Sequence, residues 1–343
     1  MICINYIANN MISEQLSDKL RICSFLATVF VVYRHSFVIH AFYGANICNN
    51  QDVMFITHWI SGLTEMAVPL FFIISGFFFL GKEYSSWTIY FSMMRKKTRT
   101  LFVPFVCWNV AGLFVLLLYK CSAVPHELHS FVKHFFISDF NGPLWYVRDL
   151  MLYMLLVPLY QWLFDNRMRV LLGLFVSFLL TKWMPVDGKV FSSEGVLFFI
   201  IGGILSKYKV LDYRIDKKWI IWALLFLWQI CCLFCDLWSN EWLHKAIVVL
   251  GVLALWYGID LIPIKFCIRI KQISCYAFFI YVTHFYCVKF VKLILAHYFY
   301  GNGTVALLTF LLVPMFVIAL LIEIGKLFRF YFPKVYLFTT GNR

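Results

Sequence analysis

Residues 22–42 read ICSFLATVFVVYRHSFVIHAF. A run of this length is what an α-helix needs to cross roughly 30 Å of hydrocarbon, yet its interior holds an adjacent Arg34 and His35. A lipid-facing helix does not keep two such side chains, and an ionisable group inside a bilayer is a functional-site candidate by default. The surrounding chain has the same character. Of its 343 residues, 62% are hydrophobic and 14% charged, with mean hydropathy +0.81, far from the composition of a soluble domain.

Windows of about 17 to 25 mostly apolar residues recur along the sequence at 22–42, 56–80, 100–119, 144–164, 168–185, 191–206, 219–237, 242–263, 272–291 and 304–327. They predict an all-α, polytopic membrane protein of about ten transmembrane helices. Residues 1–20 include Glu14, Asp18 and Lys19 and lack the basic, apolar and cleavable regions of a signal peptide. The first span is therefore expected to remain as an anchor behind a short cytoplasmic segment. No linker, repeat or low-complexity tract marks a second domain, so 1–343 is expected to be one membrane domain with a cytoplasmic tail at 328–343.

The 30 Lys and Arg residues predict the orientation, because cytoplasmic loops hold the excess. With the N-terminus inside, the inner connections carry 21 of them and the outer connections 7, while Arg34 and Arg148 fall within spans. The alternation favours N-in, C-in. It also accounts for the net charge of +13 by membrane topology, which makes nucleic acid a poor partner. The eleven cysteines are odd in number and scattered, so no disulfide framework is expected. Cys232 and Cys235 form a C-x-x-C inside a span with no ligand partner at metal spacing, and no metal site is expected.

Four further stretches carry polar groups. Val68–Phe77 (VPLFFIISGF) combines Pro69, which removes a helix hydrogen bond, with Ser75-Gly76, which admits a close neighbour; a kinked packing helix explains it. Arg95, Lys96, Lys97 and Arg99 precede the third span, in what reads as an inner loop. Positive-inside anchoring accounts for them, and a phosphate-bearing substrate would use the same charges. Arg148 and Asp149 follow an aromatic belt, PLWY, in the fourth span, where a mutual ion pair is the simplest reading. The ninth span contains Ile273–His284, ISCYAFFIYVTH, and His284 alone reads as a packing residue. At 1.5 Å per residue, however, His35 and His284 lie at similar heights, about 20 and 18 Å above the inner ends of their spans, and Arg148 about 6 Å below the outer surface. The three are expected to line one outward-opening cavity.

At these residues the chain resembles the acyltransferase-3 family, bacterial integral-membrane enzymes that O-acylate surface and exported carbohydrates. The resemblance runs in order through Arg21 and His35, VPLFFIISGF, the basic residues before TLFVPFVCWN, PLWYVRDL, Gly202-Gly203 and ISCYAFFIYVTH. The family pattern separates its Arg and His by ten residues, whereas thirteen lie between Arg21 and His35. At 100° per residue the pair still falls within about 40° of one helix face. The resemblance implies an inner-membrane acyltransferase taking acetyl or another acyl group from cytoplasmic acyl-CoA to a hydroxyl of a surface, exported or lipid-linked glycan.

It further implies that His35 is the essential histidine, as general base or acyl carrier. From their depth beside it, Arg148 and His284 are expected to stabilise the oxyanion or orient His35. Arg21, Arg95, Lys96, Lys97 and Arg99 would hold the CoA phosphates, and the pantetheine arm would pass the small residues at Ser75-Gly76. A secondary transporter or flippase for lipid-linked sugars is the rival from another class. It would be expected to show inverted repeats with broken helices in both halves, and no such symmetry is visible.

Overall fold

The computed structural model describes residues 13–44, 51–82, 84, 86–118, 127–183, 191–210, 215–234 and 241–342. The first twelve residues and Cys235, and among the cations counted above Lys120, Lys189, Arg214 and Arg343, lie outside this set. The structure is 87% helix and holds no strand among the described residues. In chain order the helices are α1 (Glu14–His35), α2 (Ile39–Tyr43), α3 (Gln51–Thr64), α4 (Ala67–Leu80), α5 (Trp87–Lys97), α6 (Val103–Leu118), α7 (Leu128–Phe136), α8 (Trp145–Leu155), α9 (Val157–Phe164) and α10 (Arg167–Trp183). They continue with α11 (Ser193–Lys207), α12 (Lys218–Leu233), α13 (Glu241–Gly258), α14 (Ile264–Ile273), α15 (Ala277–Tyr298), α16 (Gly303–Tyr331) and α17 (Pro333–Thr340).

Among the described residues, six helical stretches are long and apolar enough to cross a membrane: Glu14–Tyr43, Gln51–Leu80, Trp87–Leu118, Trp242–Leu261, Ile264–Tyr298 and Gly303–Tyr331. The protein is thus a multi-pass membrane protein. The other four predicted windows hold α8–α9, α10, α11 and α12. The last three have 17, 15 and 16 residues, about 26 Å or less at the α-helical rise.

Two local expectations are corrected. The cations Arg95, Lys96, Lys97 and Arg99 do not lie in a loop: α5 runs into α6 through a π turn, Thr98–Phe102, so they stand on continuous helix. The second span does not bend at Pro69. It breaks at Glu65–Met66, and Pro69 sits in the first turn of α4, where a missing N–H leaves no helical bond unmade.

The chain forms two compact units. One comprises Cys3–Leu70 and Tyr213–Leu327. Here α1 packs against α15, α3 and α14. At its N-terminal end, Lys19 pairs with Asp260 and Asp18 with Lys271, both at 2.6 Å, and the Lys19 ammonium lies 4.5 Å from the Trp256 ring centre. Beyond its other end, Val38, Ile39, Phe42 and Tyr43 bury themselves against Val53, Ala296, Ala306 and Phe310, and the Tyr33 hydroxyl donates to the Leu311 carbonyl at 3.0 Å. Helix α1 is therefore pinned at both ends.

The second unit comprises Phe71–Asp212 and Phe328–Arg343. Its packing depends on glycine: a Cβ on Gly76 would meet the Phe199 carbonyl, and one on Gly202 the Ile73 carbonyl, so α4 and α11 touch backbone to backbone. Helix α17 covers the π turn. Gly341, at φ +70°, rests on the Thr100 carbonyl, and Trp108 Nε1 donates to Thr339 O at 2.8 Å. The α8–α9 interruption at Leu156, just before Pro158, frees the Leu155 carbonyl, which accepts from the Tyr90 hydroxyl at 3.2 Å.

Candidate active site

His35 is the last residue of α1, and His284 stands in the middle of α15. The packing of these helices brings the imidazoles together, with ring centres 5.2 Å apart and planes at 47°. Phe285 meets His35 edge-on at 5.3 Å. The matched heights expected from sequence are thus realised as a contact. The two rings differ in access: His284 is fully buried, whereas His35 is partly open.

The hydrogen bonding of His284 fixes its tautomer. Nδ1 lies 3.0 Å from the Ile280 carbonyl, which can only accept, so Nδ1 carries a proton. Nε2 of the neutral ring then holds the lone pair, and it is buried with no hydrogen-bond partner. A buried polar atom left bare calls for an explanation. Here it belongs to the ring that faces His35.

Lys292, two turns beyond His284 on α15, sends its ammonium to the frayed end of α1. Nζ donates to Phe37 O at 2.9 Å and His35 O at 3.3 Å. The last carbonyls of a helix lack partners and carry its negative dipole end, so a cation there holds the backbone that bears His35. On another side of α1, Arg34 Nη1 pairs with Glu65 at 2.6 Å, which accounts for the arginine beside the histidine. Neither Lys292 nor Glu65 was among the residues singled out by sequence. Glu65 is a single acid inside an apolar window, and Lys292 falls eight residues beyond a candidate histidine, just past the end of its window.

The remaining predicted residues divide between the units. Arg21 lies in the unit of the histidines; its Nε is buried without a partner. Arg148 lies in the other unit, buried, with Nε donating to Asp149 Oδ1 at 2.8 Å. Asp149 Oδ2 also accepts from Ser192 N at 2.9 Å, and Ser192 Oγ caps α11 through Gly195 N, so this ion pair ties α8 to the start of α11.

In that second unit Ser75 Oγ bonds to the Tyr146 hydroxyl at 2.8 Å, and the face of Gly76 is filled by α11. The expectation that small residues there leave room for a pantetheine arm is therefore not met, because the space is taken by helix packing. Arg95, Lys96 and Arg99 are exposed, and Lys97 lays its ammonium 4.3 Å from the Phe79 ring centre.

The acyltransferase-3 family model, described as an acyltransferase domain, matches residues 21–324. The chain is also similar to a succinoglycan biosynthesis protein, ExoH, of Rhizobium meliloti (strain 1021), being 26% identical over 158 residues. That alignment covers 42% of this chain and 41% of the relative, so the chain matches less than half of that protein's length. No solved structure matches the chain.

Proposed function

The chain belongs to the acyltransferase-3 family, and from that premise we propose that this acyltransferase moves an acyl group, acetyl first among candidates, from acyl-CoA to a hydroxyl of a surface or exported polysaccharide. The name of its succinoglycan-biosynthesis relative supports a carbohydrate acceptor. We place it in the inner membrane as ten spans with both termini inside. The distribution of Lys and Arg, and the helices occupying all ten apolar windows, support that arrangement.

The observation that carries the proposal is the facing pair of His35 and His284, with Nε2 of the buried ring bare. With Nδ1 committed to Ile280, His284 can only accept at Nε2, and the His35 ring, centred 5.2 Å away, is proposed to donate an N–H to it. The other His35 nitrogen is then a base directed to the open side. It takes the proton of the acceptor hydroxyl as that oxygen attacks the thioester carbon. The C–S bond breaks, and the imidazolium returns its proton to the leaving CoA thiolate. A neutral imidazole suits both transfers.

Arg95, Lys96, Lys97 and Arg99, with Arg21, are proposed to hold the CoA phosphates, while Ser75 serves packing through Tyr146. Arg148 keeps the proposed role of an electrostatic aid to the reacting carbonyl. For that role, Arg148→Ala lowers turnover at unchanged protein level, whereas loss of protein alone marks the Arg148–Asp149 pair as architectural. The test of the whole is His35→Ala, assayed for acyl transfer in membranes with the protein level measured alongside. Transfer should vanish while the protein persists, and a fully active variant refutes the mechanism.

A further inference from the structure

We infer that Arg34, Glu65 and Phe37 form the subsite that holds a sugar ring of the acceptor, an inference that rests on the acyltransferase reading. The three share one unit with the histidines. The Arg34 side chain is 51% exposed and that of Glu65 24% exposed although they pair at 2.6 Å. Both lie within helical stretches long enough to span a membrane. A guanidinium exposed to hydrocarbon at that position is costly, and such groups face a water-filled cavity instead. The pair therefore opens onto water rather than onto lipid.

Its chemistry suits hydroxyl groups. A guanidinium offers five N–H donors in one plane, and the contact to Glu65 uses Nη1. The carboxylate keeps acceptor capacity on its other oxygen. A donor fork beside an acceptor matches two neighbouring hydroxyls, which each give and take a hydrogen bond. Phe37 supplies an apolar surface, with its ring 5.4 Å from His58 in an edge arrangement and 6.3 Å from His40. A pyranose presents the same combination of an apolar C–H face and a hydroxyl rim.

Position adds the last element. Arg34 and Phe37 flank His35 in the chain, and Lys292 binds the carbonyls of both His35 and Phe37, so ring and base are fixed to one backbone segment. The two cations Arg34 and Lys292 outnumber Glu65, which favours neutral or anionic sugars over cationic ones.

The test uses the full chain in nanodiscs with unacylated oligosaccharide released from the surface glycan of a deletion strain. Arg34→Gln, Glu65→Gln and Phe37→Leu should each raise the acceptor KM roughly tenfold or more. KM for acyl-CoA should stay unchanged, and the Arg34→Gln/Glu65→Gln double variant should be little worse than either single one. Calorimetric binding of the oligosaccharide without acyl-CoA should weaken in parallel. An acceptor KM and binding constant that stay put in active variants overturn the subsite, as does an equal rise in both KM values. Wild-type protein that binds the oligosaccharide but transfers no acyl group instead overturns the acyltransferase reading and leaves the subsite standing.

Discussion

His284 donates its Nδ1 proton to Ile280 and has only Nε2 left for chemistry. That division of labour between two nitrogens gives a sharp prediction. His284→Asn can keep a donor for the Ile280 carbonyl but removes the atom at the Nε2 position, and turnover should fall by about 10²–10⁴, the usual contribution of a positioned acid or base. His284→Gln reaches that position and should retain more activity than Asn, with both rates normalised to protein in the membrane. Sequence made His35 and His284 visible because each interrupts an apolar run, and their depth follows from the helical rise. It did not reveal Glu65, because an apolar window of 25 residues averages a single acid away. Arg34 consequently lacked a partner until the fold brought the two within 2.6 Å.

At the scale of helices, the end of α1 decides where His35 sits. Lys292→Met leaves the His35 and Phe37 carbonyls without their cation and should lower kcat severalfold. Lys292→Arg should recover most of it, and the KM for acyl-CoA should move in neither variant. A loss that Arg does not repair at all contradicts the positioning role. In the other unit, Gly76→Ala forces a methyl group into the Phe199 carbonyl. Overpacking of this kind costs about 1–3 kcal/mol, so the detergent-solubilised variant should melt at lower temperature. Hydropathy located these helices well. It misplaced their interruptions, since the break at Glu65–Met66 and the continuity of α5 into α6 depend on local backbone hydrogen bonding that no hydropathy window measures.

Over the whole molecule, membrane character and the proposed orientation come from composition and from the sorting of Lys and Arg. If both termini face the cytoplasm, reporter fusions after α1 and after α16 should report opposite sides. Arg95→Ala and Arg99→Ala should raise the KM for acyl-CoA, more at low salt than at high salt because exposed charges are screened. The division into two units was not legible in the sequence, because no linker or change of composition separates chain segments that interleave. His35 is proposed to act as the base through which an acyl group passes from acyl-CoA to a glycan hydroxyl. Mass spectrometry of the surface glycan from a deletion strain complemented with wild-type protein or with His35→Gln tests it most directly. Wild-type protein should restore an acyl-sized mass, and His35→Gln, present at equal level in the membrane, should not. Equal restoration by both would contradict the account.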